Sequence, residues 1–145
     1  MIGTGIVIWQ GDPVVQDLRD QARALLQSFP EIPADLTYAR YMIATVFEDA
    51  LDKLEKDPLT ADLILFKVVD RLLEFAFEKA GRFVPRLKDT LAEIRAFDAT
   101  LGDLADRFYR AESLEVQFDT AGSMMDHLIQ ARGFFEWTSP LEVLV

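Results

Sequence analysis

Cysteine is absent from the 145 residues, and histidine occurs once. The first absence excludes disulfides, thiolate zinc sites and a cysteine nucleophile. The second leaves His127 alone and excludes a multi-histidine metal site within one chain. Positive charge is scarce: 15 Lys and Arg stand against 25 Asp and Glu, a formal net charge of −10. Such a surface repels phosphate backbones and anionic lipid headgroups, which disfavours general nucleic-acid binding and membrane association. Long apolar runs are also missing. Gly5–Trp9 is far shorter than the roughly 20 residues that span a bilayer. Elsewhere, runs such as Leu63–Phe66 stop at four residues. Met1–Gly11 lacks a basic start and a following small-residue cleavage site, so it does not read as a signal peptide. A soluble, cytoplasmic protein is the simplest expectation. What remains is strongly hydrophobic, 50% of the chain with 11 Phe, 3 Tyr and 2 Trp. That suffices for one well-filled core in one domain spanning residues 1–145 and excludes a disordered chain.

The periodicity predicts an all-α, up-and-down bundle of five or six helices behind a short N-terminal β-strand. Gly5–Trp9 is β-branched and aromatic and ends at Gly11, Asp12 and Pro13, a strand followed by a turn. Residues 1–12 would form this strand arm. Asp12 and Pro13 suit the start of a first helix running to about Ser28, with Val14, Leu18, Ala22, Leu25 and Phe29 on its buried face. Pro30 and Pro33 stop it. Asp35 suits the cap of a second helix to about Lys56, striped by Leu36, Ala39, Ile43, Val46, Phe47, Ala50 and Leu54. Thr60 is expected to cap a third helix that ends near Ala80. Its apolar residues cover most of the circumference, as expected of the central helix of a bundle. Gly81 would close it in the left-handed conformation. A fourth helix over 86–96 turns Leu87, Leu91 and Ile94 inward. A fifth over 100–111 presents Leu101, Leu104 and Phe108. Ser113 caps a sixth, which carries Leu114, Phe118, Ala121, Met125, Leu128 and Ile129 and ends at Gly133. Residues 133–145 form an aromatic tail with Phe134, Phe135 and Trp137, suited to a partner-binding patch or a lid on the bundle.

A lone strand leaves its ladder groups unpaired. Gly5–Trp9 therefore pairs with Glu142–Val145, with a second copy of the chain in a homodimer, or with another protein, unless it is only a packed arm.

The order of features resembles a known family. A strand ends in a turn over Ile6–Asp12, followed by an acidic helix bearing Gln and Arg over Val15–Leu26. Next comes a helix carrying Arg40, Tyr41, Asp49, Leu51 and Asp52, with Asp57 after it. A long apolar helix then ends in Gly81, Arg82, Phe83, Val84, Pro85, Arg86, Leu87 and Lys88. This is similar to the helical, C-terminal half of DNA polymerase beta-type nucleotidyltransferases, a substrate-binding-like domain related to the higher eukaryote and prokaryote nucleotide-binding (HEPN) domains. The resemblance runs from about Ile6 to Arg132, and its sharpest element is Gly-Arg-aromatic-x-Pro-x-x-Lys at Gly81–Lys88. It implies a helical domain whose catalytic half lies elsewhere. The family's Gly-Ser motif with paired acidic residues is missing: the one Gly-Ser pair, Gly122 and Ser123, falls inside a helix with no Asp-x-Asp behind it. The strand Ile6–Trp9 would correspond to the connection out of that catalytic domain. Related RNA-cleaving toxins carry Arg, then four to six intervening residues, then His. Here the positions that would hold it are Thr120, Ala121 and Gly122, so that activity is not expected.

Two clusters are candidate sites. Glu48, Asp52 and Glu55 share a face of the second helix, with Asp49 beside them, and this pattern suits a magnesium ion with waters or a general base. A solvated acidic face explains it more simply, and Arg40 lies on the same row for ion pairing. Arg82, Arg86 and Lys88 lead into a helix and suit a phosphate; alternatively, Arg82 and Lys88 pair with the acidic face and hold the bundle. In two-domain relatives the matching Pro-x-x-Lys faces the active-site cleft, which is what the resemblance implies for Lys88. Tyr38 and Tyr41 suit stacking on a sugar or base, or core packing. His127 lacks a nucleophile in sequence reach. The expected ligand-binding set is therefore Arg40, Tyr41, Glu48, Asp49, Asp52, Arg82 and Lys88, with no catalytic residue, metal or cofactor assigned. The expected function is a stand-alone nucleotidyltransferase-associated helical domain. It would be non-catalytic by itself and would bind a small ligand or a nucleotidyltransferase partner supplied in trans. The alternatives are a homodimeric structural module and a metal-dependent nucleotide enzyme using the helix-two carboxylates.

Overall fold

The computed structural model describes residues 13–28 and 36–133. Among them lie six α-helices and no strand: α1 Pro13–Gln27, α2 Thr37–Leu54, α3 Pro58–Lys79, α4 Thr90–Phe97, α5 Ala99–Tyr109 and α6 Leu114–Leu128. A 3-10 turn, Leu87–Asp89, leads into α4. The all-α bundle expected from periodicity is found. The strand Gly5–Trp9, its candidate partner Glu142–Val145, the caps Asp12 and Asp35, and Phe134, Phe135 and Trp137 lie outside the described residues. No helix among the described residues is long and apolar enough to cross a membrane.

The central position of α3 follows from its composition. It packs against α2, α4 and α6, while α5 joins α4 and α6. Leu65, Val69, Leu72, Phe75 and Phe77 fill the middle, together with Ile43, Ile94, Leu101, Phe108, Met124 and Met125. Leu63 departs from the expected pattern and stays exposed on the N-terminal half of α3, as does Leu59. The apolar face of α1 departs too, with Val14, Leu18 and Leu25 all exposed.

The ends of the helices correct several expectations. Asp57, rather than Thr60, caps α3: its carboxylate accepts from the Thr60 amide at 3.2 Å and from the Thr60 hydroxyl at 2.6 Å. Pro58 occupies the first position, where a missing N–H costs nothing. Leu36 stands at the N-cap of α2 and makes no side-chain cap bond. Ser113 caps α6 as expected, accepting from Val116. Gly81 closes α3 at φ 62°. Arg82 N–H reaches the Phe77 carbonyl and Gly81 N–H reaches that of Glu78, the paired bonds of a Schellman ending.

Helix α6 stops at Leu128 rather than at Gly133. The cause is a pair of cations from other helices. Lys79 donates to the Leu128 carbonyl at 2.9 Å, and Arg40 donates to the Ile129 carbonyl through Nε at 3.0 Å and Nη2 at 2.8 Å. Both take carbonyls that a longer helix would use internally, at the end where positive charge is favoured. Gln130 then turns the chain at φ 57°. Where α4 meets α5, Gly102 permits the close approach: a Cβ there would lie 2.5 Å from Arg95 Cγ and 3.1 Å from its Cα.

Asp98 joins α5 to α6. It caps α5 through the Leu101 amide at 3.0 Å, and its other oxygen lies 2.8 Å from His127 Nε2. Burial pushes its carboxyl up, but the Leu101 amide, His127 and Lys79 together outweigh burial and hold it below the ordinary 3.8. A depressed folded-state value stabilises the fold above the unfolded-state pKa, and that contribution is lost as pH falls through the folded one. Asp98→Ala is therefore expected to cost about 1 kcal/mol near neutrality. The deficit should narrow once pH drops below 3.8. Urea melts of both proteins across that range would show it.

Candidate functional site: a groove walled by the segment after helix α3

The sequence-selected residues lie on α2 and on the segment between α3 and α4. Arg40 is half-buried and is used in capping α6. Tyr41 lies beside it on α2, half-buried. Glu48, Asp49 and Asp52 are exposed along α2, which packs on α3. Among the described residues no three His, Asp or Glu side chains are grouped to hold a metal ion. Asp52 and Glu55 therefore face solvent without converging on a metal-sized point. The three cations of the basic cluster have different surroundings. Arg82 stacks over the Phe97 ring, 4.8 Å from its centroid, rather than pairing with the α2 carboxylates. Arg86 pairs with Asp89 at 2.9 Å. Lys88 is exposed in the 3-10 turn, which packs on α4. Gly122 and Ser123 sit within α6, where the Ser123 hydroxyl donates to the Asp119 carbonyl.

A different feature stands out. A groove of about 580 Å³ opens between the C-terminal half of α3, the segment that follows it, the start of α4 and the end of α5. Its size lies within the range of small-molecule sites. The walls are mostly apolar: Leu73 from α3, Val84, Pro85 and Leu87 from the connecting segment, and Leu91 from α4. Asp70 and Glu74 from α3, Thr90 from α4 and Tyr109 from α5 supply the polar groups. Each position has a local cause. The Schellman ending at Gly81 turns the chain back, and Pro85 holds the next stretch extended, carrying Val84 and Leu87 across the face of α3. Leu87, expected to point inward, is instead 84% exposed, because the fourth helix begins as a 3-10 turn and forms an α-helix only from Thr90. Tyr109 is fixed by edge-on contact with Phe108 and a tilted contact with Phe66. Burial raises its phenol above the ordinary value, and the nearby Asp70 charge adds to this. The hydroxyl is therefore a hydrogen-bond donor at all physiological pH.

In sequence this segment stands out for its cations; in the structure its apolar residues Val84, Pro85 and Leu87 make the wall. Asp70 and Tyr109 had no signal beyond their places on helices; only the packing of α5 against α4 and α6 carries Tyr109 to the groove. Comparisons with protein-family models, with curated proteins and with solved structures returned no match.

Proposed function

We propose that this chain is a non-catalytic binding domain that holds a small, largely apolar ligand in the groove walled by Val84, Pro85 and Leu87. The observation that carries this reading is the coincidence of place: the segment Gly81–Lys88, on which the resemblance to the nucleotidyltransferase substrate-binding half chiefly rests, forms one wall of the groove. Leu87 and Val84 are large apolar side chains left open at the groove, an arrangement whose cost a bound ligand would offset. Arg82 and Arg86 are engaged by Phe97 and Asp89, and no three acidic side chains are grouped for a metal ion among the described residues, which argues against a nucleotide held with magnesium. A catalytic nucleotidyltransferase domain acting in trans on the held ligand is the partner this reading suggests.

The test is a thermal-shift screen, since a ligand that binds only the folded state raises Tm. Groove ligands should raise it for the native chain and not for Leu87→Trp, which fills the groove from an exposed position. Stabilisation by a nucleoside triphosphate with magnesium, retained in Leu87→Trp, would refute the reading. A second reading, a homodimeric module, is favoured by the exposed apolar faces of α1 (Val14, Leu18, Leu25) and α3 (Leu59, Leu63). Sedimentation velocity distinguishes a dimer from a monomer directly.

A further inference from the structure

The charges on the groove point to the class of ligand. Among the described residues, Asp70 and Glu74 are its only charged lining groups, one turn apart on α3, and no described lysine or arginine lines it. Glu74 is already engaged, accepting from Arg71 at 3.2 Å, while Arg71 also binds both carboxylate oxygens of Glu78. Asp70 makes no hydrogen bond or ion pair with another described residue. An unengaged carboxylate thus stands at the edge of an apolar wall, beside an aromatic ring.

We propose that the groove binds an amphiphilic monocation, an aryl or alkyl body against Leu73, Val84 and Leu91 with a protonated amine at Asp70. The proposal rests on the groove being a ligand site. An ammonium at Asp70 gains a charge-assisted hydrogen bond where the apolar walls reduce screening. Tyr109, which also lines the groove, brings an aromatic ring with which such a cation can interact. An anionic ligand of the same shape would instead bring like charge to Asp70 and Glu74, and a neutral one would leave Asp70 without a partner.

Three probes of one shape test this: 4-phenylbutylammonium, 4-phenylbutanol and 4-phenylbutanoate, titrated into the 15N-labelled chain. The ammonium should bind about tenfold more tightly than the alcohol, as a partly screened charge pair allows. The carboxylate should bind weakest, and shifts should centre on the amides of Leu73, Val84, Leu87 and Tyr109. Asp70 is exposed, so Asp70→Asn will fold; it should remove the difference between ammonium and alcohol, and Asp70→Glu should keep it. A preference that survives in Asp70→Asn would assign it to the general charge of −10 and overturn the proposal. Equal binding of all three probes in the groove would also overturn it while leaving the groove a ligand site. Failure of every probe to shift the groove amides would remove both.

Discussion

Phe108→Ala is expected to lower the free energy of unfolding by about 3–5 kcal/mol, the largest effect of any single change considered. Phe108 is fully buried. Its ring meets Phe66 edge-on at 5.2 Å and Tyr109 at 5.2 Å, so truncation removes apolar burial and two aromatic contacts at once. The cavity would open where the ring meets Phe66 of α3. Guanidinium denaturation followed by circular dichroism would measure the loss. Phe108→Leu, which keeps most of the volume, should cost much less. Because Tyr109 leans on Phe108, the alanine variant should also weaken any ligand held in the groove, under conditions where the chain remains folded.

The second large effect concerns Arg40. Its guanidinium supplies two donors to one carbonyl, that of Ile129, at the point where α6 ends. Arg40→Ala leaves that carbonyl without this charged partner and should cost about 1.5–3 kcal/mol. Arg40→Lys should recover part of the loss, since one ammonium replaces a two-pronged donor. Asp49→Asn and Asp52→Asn, exposed on the same helix, should change stability by less than about 0.5 kcal/mol. The contrast separates a residue that holds the bundle from residues that merely share its helix, and paired denaturation curves would read it.

These two residues also show what the sequence makes legible. The spacing of Leu101, Leu104 and Phe108 is a helical stripe, and the structure buries Leu101 and Phe108 as that spacing requires. Gly81 after an apolar helix signals a left-handed ending by local chemistry alone. Arg40 reads as a ligand-binding cation in the sequence because a carbonyl partner 89 positions away leaves no mark in the local pattern. The end of α6 is hidden for the same reason: Lys79 and Arg40, from α3 and α2, stop it before Gly133. The exposed stripe of α1 reads as core because amphipathicity records a face able to be buried, and says nothing of what covers it. The groove is illegible for a related reason. Its walls come from two helices, a connecting segment and the start of a third helix, and a cavity is a property of their packing rather than of any one stretch.

Where the first ligand to raise Tm binds is the most direct test of the account. Amide shifts mapped at saturation should fall on Leu73, Glu74, Val84, Leu87, Leu91 and Tyr109. Shifts centred on Glu48, Asp49 and Asp52, or on Arg82 and Lys88 with the groove amides unmoved, would contradict it.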